Sequence, residues 1–153
     1  MTSLPFKENT EMQLGVEIEV QLIDRETKDL TPTGRAILES LASVPEAKHI
    51  KSELFQSMLE IDTPISKNAR DAGASLRSSM RLLQDVAHKY STDVMMAGTH
   101  PFANYTESLL TPHTRYFSLV DRNQWITRRL QIFGLHVHIG MRNGDHAIAM
   151  NNA

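Results

Sequence analysis

The 153-residue sequence predicts an α+β fold. Two observations carry that expectation: several stretches alternate apolar and polar residues with the period of a strand, and others space their apolar residues as a helix does. A hydrophobic fraction of 41% suits one globular domain with a core.

The first strand is LGVEIEVQLI, residues 14–23. Val16, Ile18, Val20 and Leu22 share one face, while Glu17, Glu19 and Gln21 share the other. At a rise of about 3.3 Å per residue, Glu17 and Glu19 stand roughly 6.6 Å apart at their Cα atoms, close enough to serve one divalent ion or two neighbouring ones. A solvated strand face would look the same.

RAILESLAS, about 35–43, has Ile37, Leu38 and Leu41 at helical spacing. In KSELFQSMLEIDTPI, 51–65, Met58, Glu60 and Asp62 share a strand face opposite Leu59 and Ile61, and Pro64 marks an end. Glu53 precedes Glu60 by seven residues, which on one unbroken strand puts them on opposite faces. A tight turn near Phe55 to Ser57 between two strands removes that conflict.

A long helix is expected over about 67–90, with Ser66 as its cap and Asp71 near its positive end. VMMAG, 94–98, reads as a short buried strand in which Met95 and Met96 fill core. THPF, 99–102, reads as an extended loop at a strand end, where His100 is either structural or in contact with ligand. A third helix is expected over 114–131, with Phe117, Val120, Ile126 and Leu130 as a core-facing stripe. Arg115 at its start could meet a carboxylate or phosphate through its planar fork, or be a surface side chain.

GLHVHIG, 134–140, puts Leu135, Val137 and Ile139 on one strand face and His136 and His138 on the other. A hydrogen-bonded surface pair is the plain reading of H-x-H, and the acids of 14–23 and 51–65 give the ligand reading its weight. NGDHAIAMNNA then supplies a turn, a cap at Asp145 and about two turns of helix without a packing face, from which the chain is expected to be cut short.

A formal charge of -2 with scattered Lys and Arg argues against nucleic acid and anionic membrane as partners. MTSLPFKENTEM has no charged leader before an apolar run, and no stretch reaches the length of a membrane span, so a cytoplasmic protein is expected. Zero cysteines exclude disulfides, thiolate metal sites and thiol nucleophiles. No GxxxxGK[ST] or GxGxxG loop is present.

LGVEIEVQLID at 14–24, ELFQSMLEIDTP at 53–64, MAGTHPFANY at 96–105, TRYFSLVD at 114–121 and GLHVHIGM at 134–141 together resemble the glutamate-cysteine ligase family, in its bacterial carboxylate-amine ligase branch. The resemblance implies a glutamine synthetase-like catalytic fold, a curled and mostly antiparallel sheet with helices packed on its outer face. It implies that residues 1–153 are the N-terminal portion of a single catalytic domain. It further implies a magnesium cluster held by Glu17, Glu19, Glu53, Glu60 and His136, and His138 is typical of that branch. His100 and Arg115, from the readings above, join His138 as candidate catalytic groups.

The activity so implied is ATP-dependent: the γ-carboxyl of glutamate is activated as an acyl phosphate and then attacked by an amine such as cysteine. Oxygen-rich donors favour Mg²⁺ or Mn²⁺ over zinc. A zinc hydrolase built on the H-x-H strand, with His100 as a third imidazole, is the competing expectation. Exposed strand edges invite association, so a homo-oligomer is compatible with the sequence.

Overall fold

The structure is a computed structural model describing residues 5–11 and 13–153; Met1–Leu4 and Met12 lie outside the described residues. Strand β1, Leu14–Asp24, is the axis of a five-stranded sheet that is antiparallel throughout. Strand β3, Met58–Asp62, pairs with its middle, and β2, Ile50–Ser52, lies outside β3. The other edge of β1 is shared. Strand β5, Leu135–Ile139, pairs with residues 14–18, and β4, Thr92–Met95, with residues 21–24.

The alternation in β1 and β3 sorts the side chains as their period requires. Val20, Leu22, Leu59 and Ile61 are fully buried and join Ile50 against helix α1, Gly34–Leu41, and helix α2, Ala69–Ala87. Ile37 and Leu41 from α1, and Leu83, Val86 and Ala87 from α2, close that core. Each fully buried aliphatic side chain contributes about 1.5–3 kcal/mol.

The start of α2 is capped by Asn68, whose Oδ1 accepts from the Asp71 N–H at 3.0 Å, not by Ser66. Ser66 is engaged elsewhere, exchanging backbone hydrogen bonds with Leu14. The hairpin read between 51 and 62 forms with Phe55 to Ser57 in its turn, and the Met58 N–H donates to the Phe55 carbonyl. Strand β4 starts two residues earlier than expected and ends at Met95, leaving Met96 exposed rather than in the core.

The helix expected over 114–131 breaks at Gln124, whose φ of 52° and ψ of −129° cannot continue a helix. This leaves α3, Thr114–Asn123, and a single turn α4, Trp125–Arg128. The expected stripe is not in the core: Phe117, Ile126 and Leu130 are exposed, and α3 turns Tyr116 inward instead. Tyr116 packs with Leu54, Phe55, Met58 and Phe133 in a second core. Because Met58 belongs to the acidic face of β3, this core sits on the side of the sheet opposite α1 and α2.

The aliphatic face of β5 is not covered by those helices either. Leu135, Val137 and Ile139 are 64%, 57% and 52% exposed. After β5 comes α5, Gly144–Asn151, capped by Asn143 through the His146 N–H rather than by Asp145, with no residue buried.

Candidate active site

The strand registers assemble the polar face. Glu17 is opposite Asp62 on β3 and His136 on β5; Glu19 is opposite Glu60; Gly15 is opposite His138; Lys51 on β2 is opposite Glu60. Directly opposed residues of an antiparallel pair point to the same face with Cβ atoms about 4.5–5.5 Å apart. Four strands therefore present Glu17, Glu19, Lys51, Glu60, Asp62, His136 and His138 on one surface.

Glu17 is the meeting point of the imidazoles. Its Oε2 lies 3.1 Å from His138 Nε2 and 3.6 Å from His136 Nδ1. These three side chains each offer a ligand atom within 4.8 Å of the others, an arrangement able to hold a metal ion. Glu19 is fixed differently: its Oε2 accepts from the Gly134 N–H at 2.6 Å, while its own N–H donates to the Gly134 carbonyl at 2.9 Å. A Cβ at position 134 would lie 2.5 Å from His136 Nε2, so glycine lets the imidazole fold back beside Glu19.

Glu60 is half-buried on β3. Burial pushes its carboxyl above the ordinary carboxylate range, and the Glu17 and Glu53 carboxylates push it further, against the Lys51 ammonium. Glu53 leaves the end of β2 and accepts the Leu54 N–H at 2.7 Å. Burial and the charge of Glu53 raise the Tyr116 phenol, whose hydroxyl donates to the Ser52 carbonyl at 3.2 Å. A cavity of about 300 Å³ lies between these groups, with Glu19, Glu53, Arg115 and His136 among its polar lining and Met58 and Phe133 in its apolar part. Arg115 is exposed at its rim, 5.8 Å from the Tyr116 ring centroid.

His100 is held apart from this assembly by two backbone contacts. Its Nε2 bonds to the Lys28 carbonyl at 2.9 Å and its Nδ1 accepts the Ala103 N–H at 3.0 Å. It is only 7% exposed. Both ring nitrogens are engaged, so it has no free donor to serve as a third imidazole ligand.

Sequence reasoning missed Lys51 and His49. Lys51 contacts Asp62 and stands 3.9 Å from Glu60 Oε1, and His49 Nδ1 lies 2.6 Å from Asp62 Oδ1. Burial pushes Asp62 up, but hydrogen bonds from Lys51 and His49 outweigh it and hold the carboxyl below its usual range. The hydrogen bond to Asp62 raises the Lys51 ammonium in turn. The alternation of β3 was a signal for Asp62, whereas Lys51 could be placed only through the β2–β3 register.

A sequence profile of glutamate-cysteine ligase family 2 matches residues 13–153. The chain belongs to that family. Glutamate-cysteine ligase family 2 relatives include a protein of Bdellovibrio bacteriovorus provisionally named glutamate–cysteine ligase 2, 46% identical over 149 residues, covering 97% of this chain and 39% of that protein. One of Gloeobacter violaceus, named likewise, is 41% identical over 151 residues, covering 98% of this chain and 41% of its own length. The chain thus spans about two fifths of these relatives. The fold also matches the 2.0 Å crystal structure of glutamate–cysteine ligase from Francisella tularensis in complex with AMP, with a TM-score of 0.64 at 15% identity, over 95% of this chain and 30% of that one. Among the described residues, no helix of this family member is long and apolar enough to cross a membrane.

Proposed function

We propose that this chain forms one wall of an ATP-dependent carboxylate–amine ligase site, making a γ-glutamyl amide from glutamate and an amine, with cysteine the leading acceptor. The observation that carries the reading is Glu17, Glu19, Glu60 and His136 on one face of the sheet, with the Glu53 carboxylate, just past the end of β2, near enough to raise Glu60. The γ-phosphoryl group of ATP passes to a carboxylate oxygen of glutamate, releasing ADP. The amine nitrogen then attacks the acyl carbon, phosphate departs, and the nitrogen loses a proton.

The donor set fits a hard divalent cation. Carboxylate oxygens outnumber imidazole nitrogens, and Glu60, raised first by burial and then by the Glu17 and Glu53 carboxylates, has the Lys51 ammonium alone working the other way. Glu17, Glu19, Glu53, Glu60 and His136 would hold Mg²⁺ or Mn²⁺, which when bound neutralises phosphate oxygens and polarises the transferring group. His138 orients Glu17. Glu19 uses one oxygen to fix Gly134 and keeps the other for the site. Arg115, at the cavity rim, is placed to receive a substrate carboxylate or phosphate. His100 serves the site indirectly, by holding the 100–103 loop against Lys28. With ATP as co-substrate, the working compartment is the cytoplasm.

One observation favours the hydrolase reading: Glu17, His136 and His138 make a compact N₂O group of the kind zinc accepts. The engagement of His100 by backbone on both nitrogens argues against it. Stoichiometric zinc retained through dialysis is the result that would favour hydrolysis.

The test is Mn²⁺ titration followed by electron paramagnetic resonance. Glu60→Gln and Glu17→Gln are each expected to weaken binding about tenfold or more, as loss of a charged ligand does. Wild-type affinity in both variants would remove the assignment. Because the chain spans only two fifths of its relatives, residues 1–153 alone are expected to bind cations without turnover, and γ-glutamylcysteine formed by them alone would contradict that.

A further inference from the structure

Asp62 is the carboxylate on the acidic face that the cation set above leaves out. It stands directly opposite Glu17 in the β1–β3 ladder and two residues from Glu60 on the same strand face, a position as central as theirs. Position alone does not account for its exclusion. Both of its oxygens are taken: Oδ1 by His49 Nδ1 at 2.6 Å and Oδ2 by the Lys51 ammonium.

We infer that Lys51 and His49 act as a clasp that withholds Asp62 from the cations of the acidic face, Lys51 being a positioning residue that fixes how many carboxylates the face offers. The inference rests on the cation-binding reading of that face. His49 ends the 3₁₀ turn Pro45–His49, directly before β2, and Lys51 is the middle residue of β2, so both arms of the clasp come from one short segment. The β2–β3 register sets Lys51 across from Glu60, with Nζ 3.9 Å from Glu60 Oε1 but in direct contact with Asp62. The ammonium therefore leans toward Asp62 and leaves Glu60 facing Glu17 and Glu53.

A fifth free carboxylate would tighten cation binding and slow its release. A ligase whose nucleotide arrives and leaves with its cation needs that release, since product departure limits many enzymes. The clasp limits affinity by occupying a donor with a fixed cation and a hydrogen bond. This differs from simple charge repulsion, because it predicts that the effect of Lys51 runs through Asp62.

The test measures Mn²⁺ affinity by electron paramagnetic resonance at low salt for the wild type and for Lys51→Met, Lys51→Arg, Asp62→Asn, Lys51→Met/Asp62→Asn and Glu60→Gln, with circular dichroism confirming the fold of each. Lys51→Met is expected to bind Mn²⁺ about five- to twentyfold more tightly, the scale of one added carboxylate near a partly exposed ion. Lys51→Arg should match the wild type. The double variant should lose the gain, while Asp62→Asn alone should stay near the wild type, because the clasp already withholds that carboxylate. Unchanged or weaker binding in Lys51→Met overturns the clasp, and so does an Asp62→Asn change that costs as much affinity with Lys51 present as without it, which would be charge alone. Loss of binding in Glu60→Gln alongside either result leaves the ligase reading standing, whereas unchanged binding in Glu60→Gln overturns that reading and the clasp together.

Discussion

His138 Nε2 stands closer to Glu17 Oε2, at 3.1 Å, than His136 Nδ1 does at 3.6 Å, although the ladder pairs Glu17 with His136 and His138 with Gly15. The contact is diagonal, within the reach of diagonal neighbours on a sheet. It draws Glu17, His136 and His138 into one three-sided group.

Gly15→Val and His138→Ala should separate stability from binding. A Cβ at position 15 meets nothing within 4 Å, and a β-branched residue suits a strand, so the thermal midpoint is expected to hold or rise. His138→Ala removes the imidazole that leans on Glu17, and Mn²⁺ affinity should fall by about a factor of ten, the scale of a lost ligand or supporting group. Unchanged affinity would show that the His138–Glu17 contact does not matter to the site.

The opposite separation is expected at His100. Replacing it with alanine leaves the Lys28 carbonyl and Ala103 N–H without their partner, at a cost of about 1–3 kcal/mol in urea unfolding. Mn²⁺ affinity should stay at the wild-type value. A weakened affinity in a variant that still unfolds cooperatively would return His100 to the ligand set.

Gly34 is required by a close approach rather than by an unusual backbone angle. An added Cβ would sit 2.6 Å from the Gln56 carbonyl oxygen, which accepts the Gly34 N–H at 2.9 Å. Backbone crowds that position, so no side chain can swing away. Gly34→Ala is expected to destabilise the protein by about 1–3 kcal/mol, as overpacking does, despite alanine being the better helix former. A denaturation midpoint equal to the wild type would show that α1 can slide past the hairpin turn.

The alternation of β1, β3 and β5 made the acidic and imidazole face legible from sequence, because a period of two leaves each residue only two sides to choose between. The choice of core side followed equally well for Val20, Leu22, Leu59 and Ile61. What could not be read was register and reach. Lys51 meets Asp62 because an unmarked turn at Phe55 to Ser57 sets which β2 residue faces Glu60. The Phe117–Leu130 stripe failed for two local reasons: α3 buries Tyr116 in place of Phe117, and Gln124 adopts a positive φ that its side chain does not advertise, so Ile126 and Leu130 do not continue the face of α3. The caps at Asn68 and Asn143 were each passed over for a nearby residue of similar capping chemistry, a distinction that only the backbone makes.

The charge arrangement around Glu60 and Asp62 gives opposite pH dependences. Glu60 has a carboxyl raised above its ordinary value of 4.5, mainly by burial and then by Glu17 and Glu53, so the folded state binds its proton more tightly than the unfolded chain does. Its contribution to stability is fully present below pH 4.5 and is lost as pH rises through the raised value. Asp62 is lowered below 3.8, since hydrogen bonds from Lys51 and His49 outweigh its burial; its contribution is present above pH 3.8 and lost as pH falls through the lowered value. In cation-free buffer, these two groups favour the folded state most between pH 3.8 and 4.5, and stability should decline on the alkaline side as Glu60 ionises among other carboxylates. Glu60→Gln should flatten that decline, and saturating Mn²⁺ should flatten it in the wild type by supplying the missing counter-charge. Urea unfolding from pH 4 to pH 8 measures both effects, and an alkaline slope equally steep in Glu60→Gln would show that the strain lies in some other group.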